Sequence, residues 1–332
     1  MAAPVKILVL RFSSIGDIVL TSPVVRCLKQ QVPGAQVHFC TNRIYQSIVE
    51  HNQYIDKRHY LDGSLFGLIR RLRAERYDYV IDLHNNLTTG LIKMMLGTRT
   101  YSLDKPSLRT WLYLHWQINT LAPQHIVDRY LETVRPLGVE NDERGLDYSI
   151  PYKDQVETDW LPLTHRHDYV AFAIGGRHMT KRLPISRMIE LCRKINHPVV
   201  LLGDSKDRAA GETITAELGN QLIYNACGLF NLNQSASLLQ QARVVFSHDT
   251  GLMHMAAALK KKVYSIWGSS TPQLGTYPYK TPYVLLEKTG LACRPCSQTG
   301  FGNCPMKHFR CMNELSFDFE VKELRQKKKN FE

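Results

Sequence analysis

Residues 244–267 read VVFSHDTGLMHMAAALKKKVYSIW. Val244 to Phe246 is an apolar run of the kind that forms a buried strand, and Val263 to Trp267 is a second. Between them Ser247-His248-Asp249-Thr250-Gly251 is a tight loop of capping residues, and Leu252 to Leu259 reads as a helix. Strand, loop, helix and strand make a βαβ unit. The loop leaving the first strand's C-terminal end faces the ligand crevice of such a unit. The helix start offers unpaired N–H groups and a positive dipole end, which attract phosphate. Gly251 would let a ligand approach the backbone closely. His254 follows about one turn on, on the same helix face. Taken alone, Asp249 and Thr250 are as well explained as helix caps, and His254 as a core histidine.

The alternation recurs on both sides of this unit. Upstream lie strand Tyr169 to Ile174, helix Ile185 to Ile195, strand Pro198 to Leu202, helix Arg208 to Leu218, strand Gln221 to Asn225 and helix Leu232 to Ala242. Earlier still, Lys6 to Leu10 is a strand, Ile18 to Gln31 a helix, Val37 to Cys40 a strand and Ile44 to His51 a helix. Ile55 to Leu61 is a short strand, Ser64 to Arg76 an amphipathic helix, Tyr77 to Leu83 a strand and Leu87 to Leu96 a helix. Residues 107–118 and 125–137 read as further helices. The strands are short apolar runs rather than alternating ones, as in parallel sheets buried on both faces. The expected fold class is therefore α/β, with two doubly wound domains facing a cleft. Residues 139–167 are polar, with Pro151 and Pro162, and mark the boundary. That predicts an N-terminal domain over 1–155, a C-terminal domain over 165–312, and a helical tail over 313–332 that returns to the first domain.

The chain has 332 residues, 44% hydrophobic and 22% charged, as expected of a globular protein. No apolar stretch approaches the roughly 20 residues needed to span a bilayer. The opening MAAPVKILVL enters a strand without a signal-peptide cleavage pattern, which predicts a cytoplasmic location. A net charge of +12 favours anionic partners. The basic clusters, Arg70 to Arg73 and Arg325 to Lys329, are not interleaved with aromatics, and no nucleic-acid-binding motif appears.

The first loop, Arg11 to Asp17, carries one glycine where a dinucleotide fingerprint needs three. It ends instead in a carboxylate at a helix start, where Asp17 either caps the helix or serves as a base. RFSSIGDIVLTSP and DTGLMHMAAAL together resemble the bacterial lipopolysaccharide heptosyltransferases, glycosyltransferase family 9. The resemblance implies a glycosyltransferase B fold and inverting transfer of a heptose from ADP-heptose to the inner core of lipopolysaccharide. It makes Asp17 the general base, and it places Arg11, Ser13 and Ser14 on the acceptor side. Asp82-Leu83-His84-Asn85-Asn86 is similar to the family's DLHxN segment and adds His84 and Asn85, though Thr88 and Thr89 stand where many relatives have arginine. His125, Arg129 and Tyr130 match a further segment and are equally explicable as structural.

On the donor side, Lys181-Arg182-Leu183-Pro184 resembles the family's Lys-Arg-Trp-Pro, with leucine for tryptophan. The implied donor-binding set is Lys181, Arg182, Asp249, Thr250, Gly251 and His254. Lys181 acts catalytically on the diphosphate, and Asp204 or Asp207 binds ribose. As a loop lysine, Lys181 is expected to contribute little to the core. Trp267 to Pro272 is similar to the family's Gly-x-Thr-x-Pro. No metal-holding Asp-x-Asp motif appears, so no cofactor is expected. The implied partners are the nucleotide-sugar donor, an anionic lipid-linked saccharide acceptor and the inner face of the inner membrane, but not nucleic acid. The alternatives are another nucleotide-sugar-dependent transferase or epimerase, and a basic nucleic-acid-binding protein.

Cys293, Cys296, Cys304 and Cys311 cluster near the C-terminus, with His308 between the last two. Their spacing suggests structural zinc or packed free thiols, and the latter is the expectation.

Overall fold

The computed structural model describes residues 4–105 and 107–324. Two parallel sheets form from the two halves of the chain. The first takes β1 (Val5–Leu10), β2 (Ala35–Asn42), β3 (Lys57–Leu61), β4 (Tyr79–Asp82) and β5 (Arg99–Ser102), in the order β3-β2-β1-β4-β5. The helices over this half are α1 (Ile15–Val19), α2 (Ser22–Gln31), α3 (Gln46–Val49), α4 (Leu65–Glu75), α5 (Leu87–Leu96), α6 (Ser107–Trp116) and α7 (Ile126–Val134).

The second sheet takes β6 (Val170–Ala173), β7 (Val199–Leu202), β8 (Ile223–Asn225), β9 (Val245–His248), β10 (Val263–Trp267) and β11 (Tyr283–Glu287), in the order β11-β10-β9-β6-β7-β8. Its helices are α8 (Ile185–Ile195), α9 (Arg208–Leu218), α10 (Leu232–Gln241) and α11 (Gly251–Ala258), and a short α12 (Arg310–Asn313) follows. The central strands β1, β6 and β9 are almost wholly buried, because helices cover both faces of each sheet. Among the described residues no helix is long and apolar enough to cross a membrane.

Four details differ from the sequence reading. The helix expected over 18–31 is two helices. The Thr21 and Ser22 hydroxyls donate back to the Ile18 and Val19 carbonyls at 2.7 Å, and Pro23 sits in the first turn of α2. The helix expected over 44–51 is a 3-10 turn, Arg43–Tyr45, followed by α3. Edge strands β5 and β11 were not anticipated, since neither is a buried apolar run.

The fourth concerns the tail. Through residue 324 it packs on the second domain rather than the first, and apart from α12 and a 3-10 turn at Lys322–Leu324 it is not helical. Phe319 lies 5.8 Å from Phe246 and 5.5 Å from Tyr264. The Glu323 carboxylate accepts from Lys262 at 2.5 Å and from the Tyr264 hydroxyl at 3.0 Å. The second sheet's aromatic face needs a cover, and Leu315, Phe317 and Phe319 supply it. The basic cluster Arg325 to Lys329 lies outside the described residues.

Candidate active site

In an open parallel sheet the crevice opens where neighbouring strands send their connections opposite ways. In the first sheet that point lies between β1 and β4, in the second between β6 and β9. The four loops leaving these strands carry Arg11 to Asp17, His84 and Asn85, Lys181 and Arg182, and Asp249 to Gly251. Topology alone thus gathers most of the residues singled out from sequence.

Asp17 occupies the third position of α1. Its Oδ2 accepts from the Ser14 N–H at 3.0 Å, the Ser14 hydroxyl at 2.9 Å and the Arg11 Nη2 at 2.8 Å. Among the described residues nothing donates to its Oδ1. The Asp17 side chain is 33% exposed. Burial works to raise its pKa, but Arg11, and then the Ser14 donors, hold it below the ordinary carboxylate range. Arg11 is fixed in turn: Nε donates to the Ser13 carbonyl at 2.7 Å and Nη1 to the Leu83 carbonyl at 2.5 Å. Its guanidinium stands 5.8 Å from the centre of the buried Tyr130 ring. The capping reading and the base reading of Asp17 therefore concern two oxygens of one group.

The loop after β4 is held by the fully buried Asp82. Its Oδ1 accepts from the His84 and Asn85 N–H groups at 3.0 and 2.7 Å, and its Oδ2 pairs with Lys93 at 2.7 Å. Asn85 has φ +46°, a conformation asparagine tolerates. Its amide donates to the Leu103 carbonyl at 2.8 Å, so this side chain braces the loop. His84 packs edge-on to Phe12, and burial, then Arg11 and Lys105, lower its pKa. Asp82 was missed as a site-forming residue; a carboxylate closing an apolar strand was its signal.

Across the cleft, Lys181 Nζ meets Asp249 Oδ2 at 2.6 Å, and the Ser270 hydroxyl donates to the same oxygen at 2.8 Å. Arg182 pairs with Asp207 at 2.6 Å. Asp207 is buried, and desolvation raises its pKa against the pull of Arg182. Asp204 keeps the exposed carboxylate, with one oxygen accepting from the Lys206 N–H at 2.8 Å. Of the two ribose candidates, Asp207 is thus committed to Arg182. Thr250 is the N-cap of α11, without a side-chain cap bond, so its hydroxyl leaves the first-turn N–H groups uncapped.

The two domains meet along α1 and α11. A Cβ on Gly16 would fall 2.6 Å from His254 Cδ2, and one on Gly251 would fall 2.6 Å from Ile15 Cγ2. Gly251 thus makes room for the opposite domain, not only for a ligand. His254 is buried in this seam, and its Nδ1 has no hydrogen-bond partner among the described residues. Burial lowers its pKa, opposed by Asp249 and Asp17. These two carboxylates flank it from the two domains. His125 spends both ring nitrogens: Nε2 donates to the Tyr277 carbonyl at 2.7 Å, and Nδ1 accepts from the Val127 N–H at 3.1 Å. It ties α7 to the second domain and is structural.

The eight cysteines form no disulfide. In the C-terminal lobe Cys293 Sγ lies 3.8 Å from His308 Nε2, and Cys296 donates to the Cys293 carbonyl at 2.6 Å. Among the described residues the group of ligand atoms within 4.8 Å of one another is elsewhere: His38, His59 and Glu75. There the Tyr77 hydroxyl bridges both histidines at 2.9 and 3.0 Å, and Lys57 pairs with Glu75.

Residues 65–306 match the family model described as glycosyltransferase family 9 (heptosyltransferase). Among curated proteins, lipopolysaccharide heptosyltransferase 2 of Salmonella typhimurium is 25% identical over 80% of this chain and 84% of its own. The solved E. coli ADP-heptose lps heptosyltransferase II superposes with a TM-score of 0.69 at 22% identity, covering 93% of this chain and 98% of that one. An E. coli heptosyltransferase solved with ADP gives a TM-score of 0.64 at 20% identity, covering 85% and 93%.

Proposed function

Because the chain belongs to glycosyltransferase family 9, the heptosyltransferases, we propose that it transfers a heptose from ADP-heptose to the inner core of lipopolysaccharide, with inversion at the anomeric carbon. The acceptor hydroxyl adds to that carbon on the face opposite the diphosphate. Asp17 Oδ1 takes the hydroxyl proton, while Arg11 and Ser14 keep Oδ2 charged and oriented. The carbon–oxygen bond to the diphosphate breaks, and its electron pair leaves on ADP. Lys181, Arg182 and the N–H groups at the start of α11 stabilise that charge. Asp204 serves the ribose hydroxyls, His254 lies between donor and base, and Ser13, His84 and Asn85 shape the acceptor side. The acceptor is anionic and lipid-linked, so the enzyme works in the cytoplasm at the inner face of the inner membrane, and it has no call for nucleic acid. No metal takes part in this scheme.

One observation carries the reading: among the described residues every donor to Asp17 converges on one oxygen, so the other is open to a substrate proton. Asp17→Asn tests it. Asparagine caps as well as aspartate and can keep its oxygen toward Arg11 and Ser14. It cannot accept the proton. Turnover should fall on the order of a hundredfold or more, with ADP affinity and melting temperature nearly unchanged. Full activity in a stably folded variant would remove Asp17 from the chemistry.

A further inference from the structure

Helix α6 is unlike its neighbours. Helix α4 buries Leu68, Ile69 and Leu72, and α5 buries Thr89 and Ile92. From Leu108 to Trp116, α6 buries nothing. Yet its sequence, SLRTWLYLHW, is rich in large apolar residues. Leu108, Trp111, Leu112 and Trp116 recur at helical spacing and share one face. Leu108 is 69% exposed, Trp111 47% and Trp116 64%. Leu87, the first residue of α5, is 95% exposed, and the loop before it is tied to the segment entering α6 through Lys105 and the Asn85 carbonyl. Large apolar residues exposed together along one helix face mark an interaction site.

Position and charge indicate what covers it. The segment entering α6 is fastened to the acceptor side of the cleft: Lys105 Nζ donates to the Asn85 carbonyl at 2.8 Å, and Arg129 to the Asp104 carbonyl at 2.5 Å. Lys105 and Arg109 border the apolar face, on a chain of net charge +12. Tryptophan beside cations is the composition of a surface lying in a lipid headgroup layer, where the rings straddle the polar boundary and the cations meet anionic lipid.

We propose that α6, with the start of α5, is the surface that seats the protein on an anionic bilayer, next to the acceptor side of its cleft. This rests on the heptosyl-transfer reading only in taking the acceptor to be lipid-linked. A cleft opening beside the docked face receives such an acceptor without lifting its acyl chains from the membrane.

The test uses the full chain and the double variant W111S/W116S, whose changed side chains lie outside the core and the cleft. The wild type should co-sediment with vesicles of phosphatidylcholine mixed with phosphatidylglycerol, and far less with phosphatidylcholine alone. Brominated lipid should quench its tryptophan emission. The variant should lose vesicle affinity by about tenfold or more while keeping wild-type turnover on a saccharide acceptor stripped of its acyl chains. Equal vesicle binding by variant and wild type, or none by either, would overturn the surface. So would a wild-type dimer that the double substitution dissolves, since a second copy would then be the occupant. Loss of transfer to the soluble acceptor by the wild type itself would instead count against the heptosyl-transfer reading and leave the vesicle result standing.

Discussion

Lys181 shows how burial changes what a substitution means. In sequence it is a loop lysine expected to matter little for stability. In the structure it is the cationic partner of Asp249, itself buried, and among the described residues Ser270 is the only other donor to that oxygen. Removing one partner of such a pair strands the other charge, typically at a cost of about 3–5 kcal/mol. Lys181→Ala therefore confounds catalysis with stability. Lys181→Gln keeps an N–H for Asp249 and removes the charge that the proposed mechanism offers to the diphosphate. It is expected to lower turnover on the order of a hundredfold while its melting temperature stays closer to wild type than that of Lys181→Ala. Equal turnover in Lys181→Gln and wild type would dismiss the lysine from leaving-group stabilisation. The acid limb of the same assay bears on Asp17. A carboxyl held below its ordinary value stays ionised down to lower pH, so activity should not decline from this group until the pH falls below about 4. Which residues gather at the cleft was legible, because each sits beside a loop glycine, a helix start or a strand end. The partner of each was not: that Asp207 is committed to Arg182 while Asp204 stays open depends on loops packing across a strand crossover.

The contact of α1 with α11 is where element packing sets the chemistry. Both helices begin at the cleft, one bearing Asp17 and the other led by Asp249, and their closeness rests on two residues without Cβ atoms. Gly16→Ala places a methyl 2.6 Å from the His254 ring, so α1 must move away. A displacement of about 1 Å at a reacting group can cost around a hundredfold in rate. The expectation is a fall in turnover of about tenfold to a hundredfold, with ADP affinity unchanged, because the proposed mechanism puts the nucleotide on the other domain. Isothermal titration with ADP beside a turnover assay separates these effects; a matching loss of ADP affinity would place the damage in the second domain. The central elements were readable because parallel strands covered on both faces leave unbroken apolar runs. Edge strands β5 and β11 escaped, being half exposed, and so did the break before α2, where two hydroxyls take carbonyls that a continuous helix would use. The tail's apolar residues were visible, but which sheet needed them was not.

At the scale of the whole molecule, the alignment of the two halves depends on the segment between them. Residues 142–147 are gripped from both sides. From the first domain, Arg26 of α2 sends Nε and Nη2 to the Asp142 carboxylate, both at 2.7 Å, Nη2 to the Gly145 carbonyl at 2.9 Å, and Nη1 to Asp147. From the second, Lys260 donates to the carbonyls of Arg144 and Leu146 at 2.6 and 3.0 Å. The sequence marked this stretch as a polar boundary but gave no sign of the clamp, since an arginine between Val25 and Cys27 does not announce that it will be fully buried. Arg26→Leu keeps the helix and its apolar surroundings while leaving the aspartates unpaired. Asp142 and Asp147 retain partial access to water, so the loss should lie at the low end for a broken buried pair, about 2–3 kcal/mol. The effect has a defined pH dependence. Asp142 is held below its ordinary pKa, first by its hydrogen bonds to Arg26. A carboxyl whose folded value is depressed binds fewer protons folded than unfolded, so the stability it contributes is complete above its unfolded value near pH 4 and is lost as pH falls through its folded value. Urea unfolding should therefore separate wild type from Arg26→Leu clearly at pH 7, and the gap should narrow as Asp142 is protonated below about pH 4. A gap of the same size at pH 7 and well below pH 4 would mean that the arginine's packing, not its pairing with Asp142, holds the segment in place.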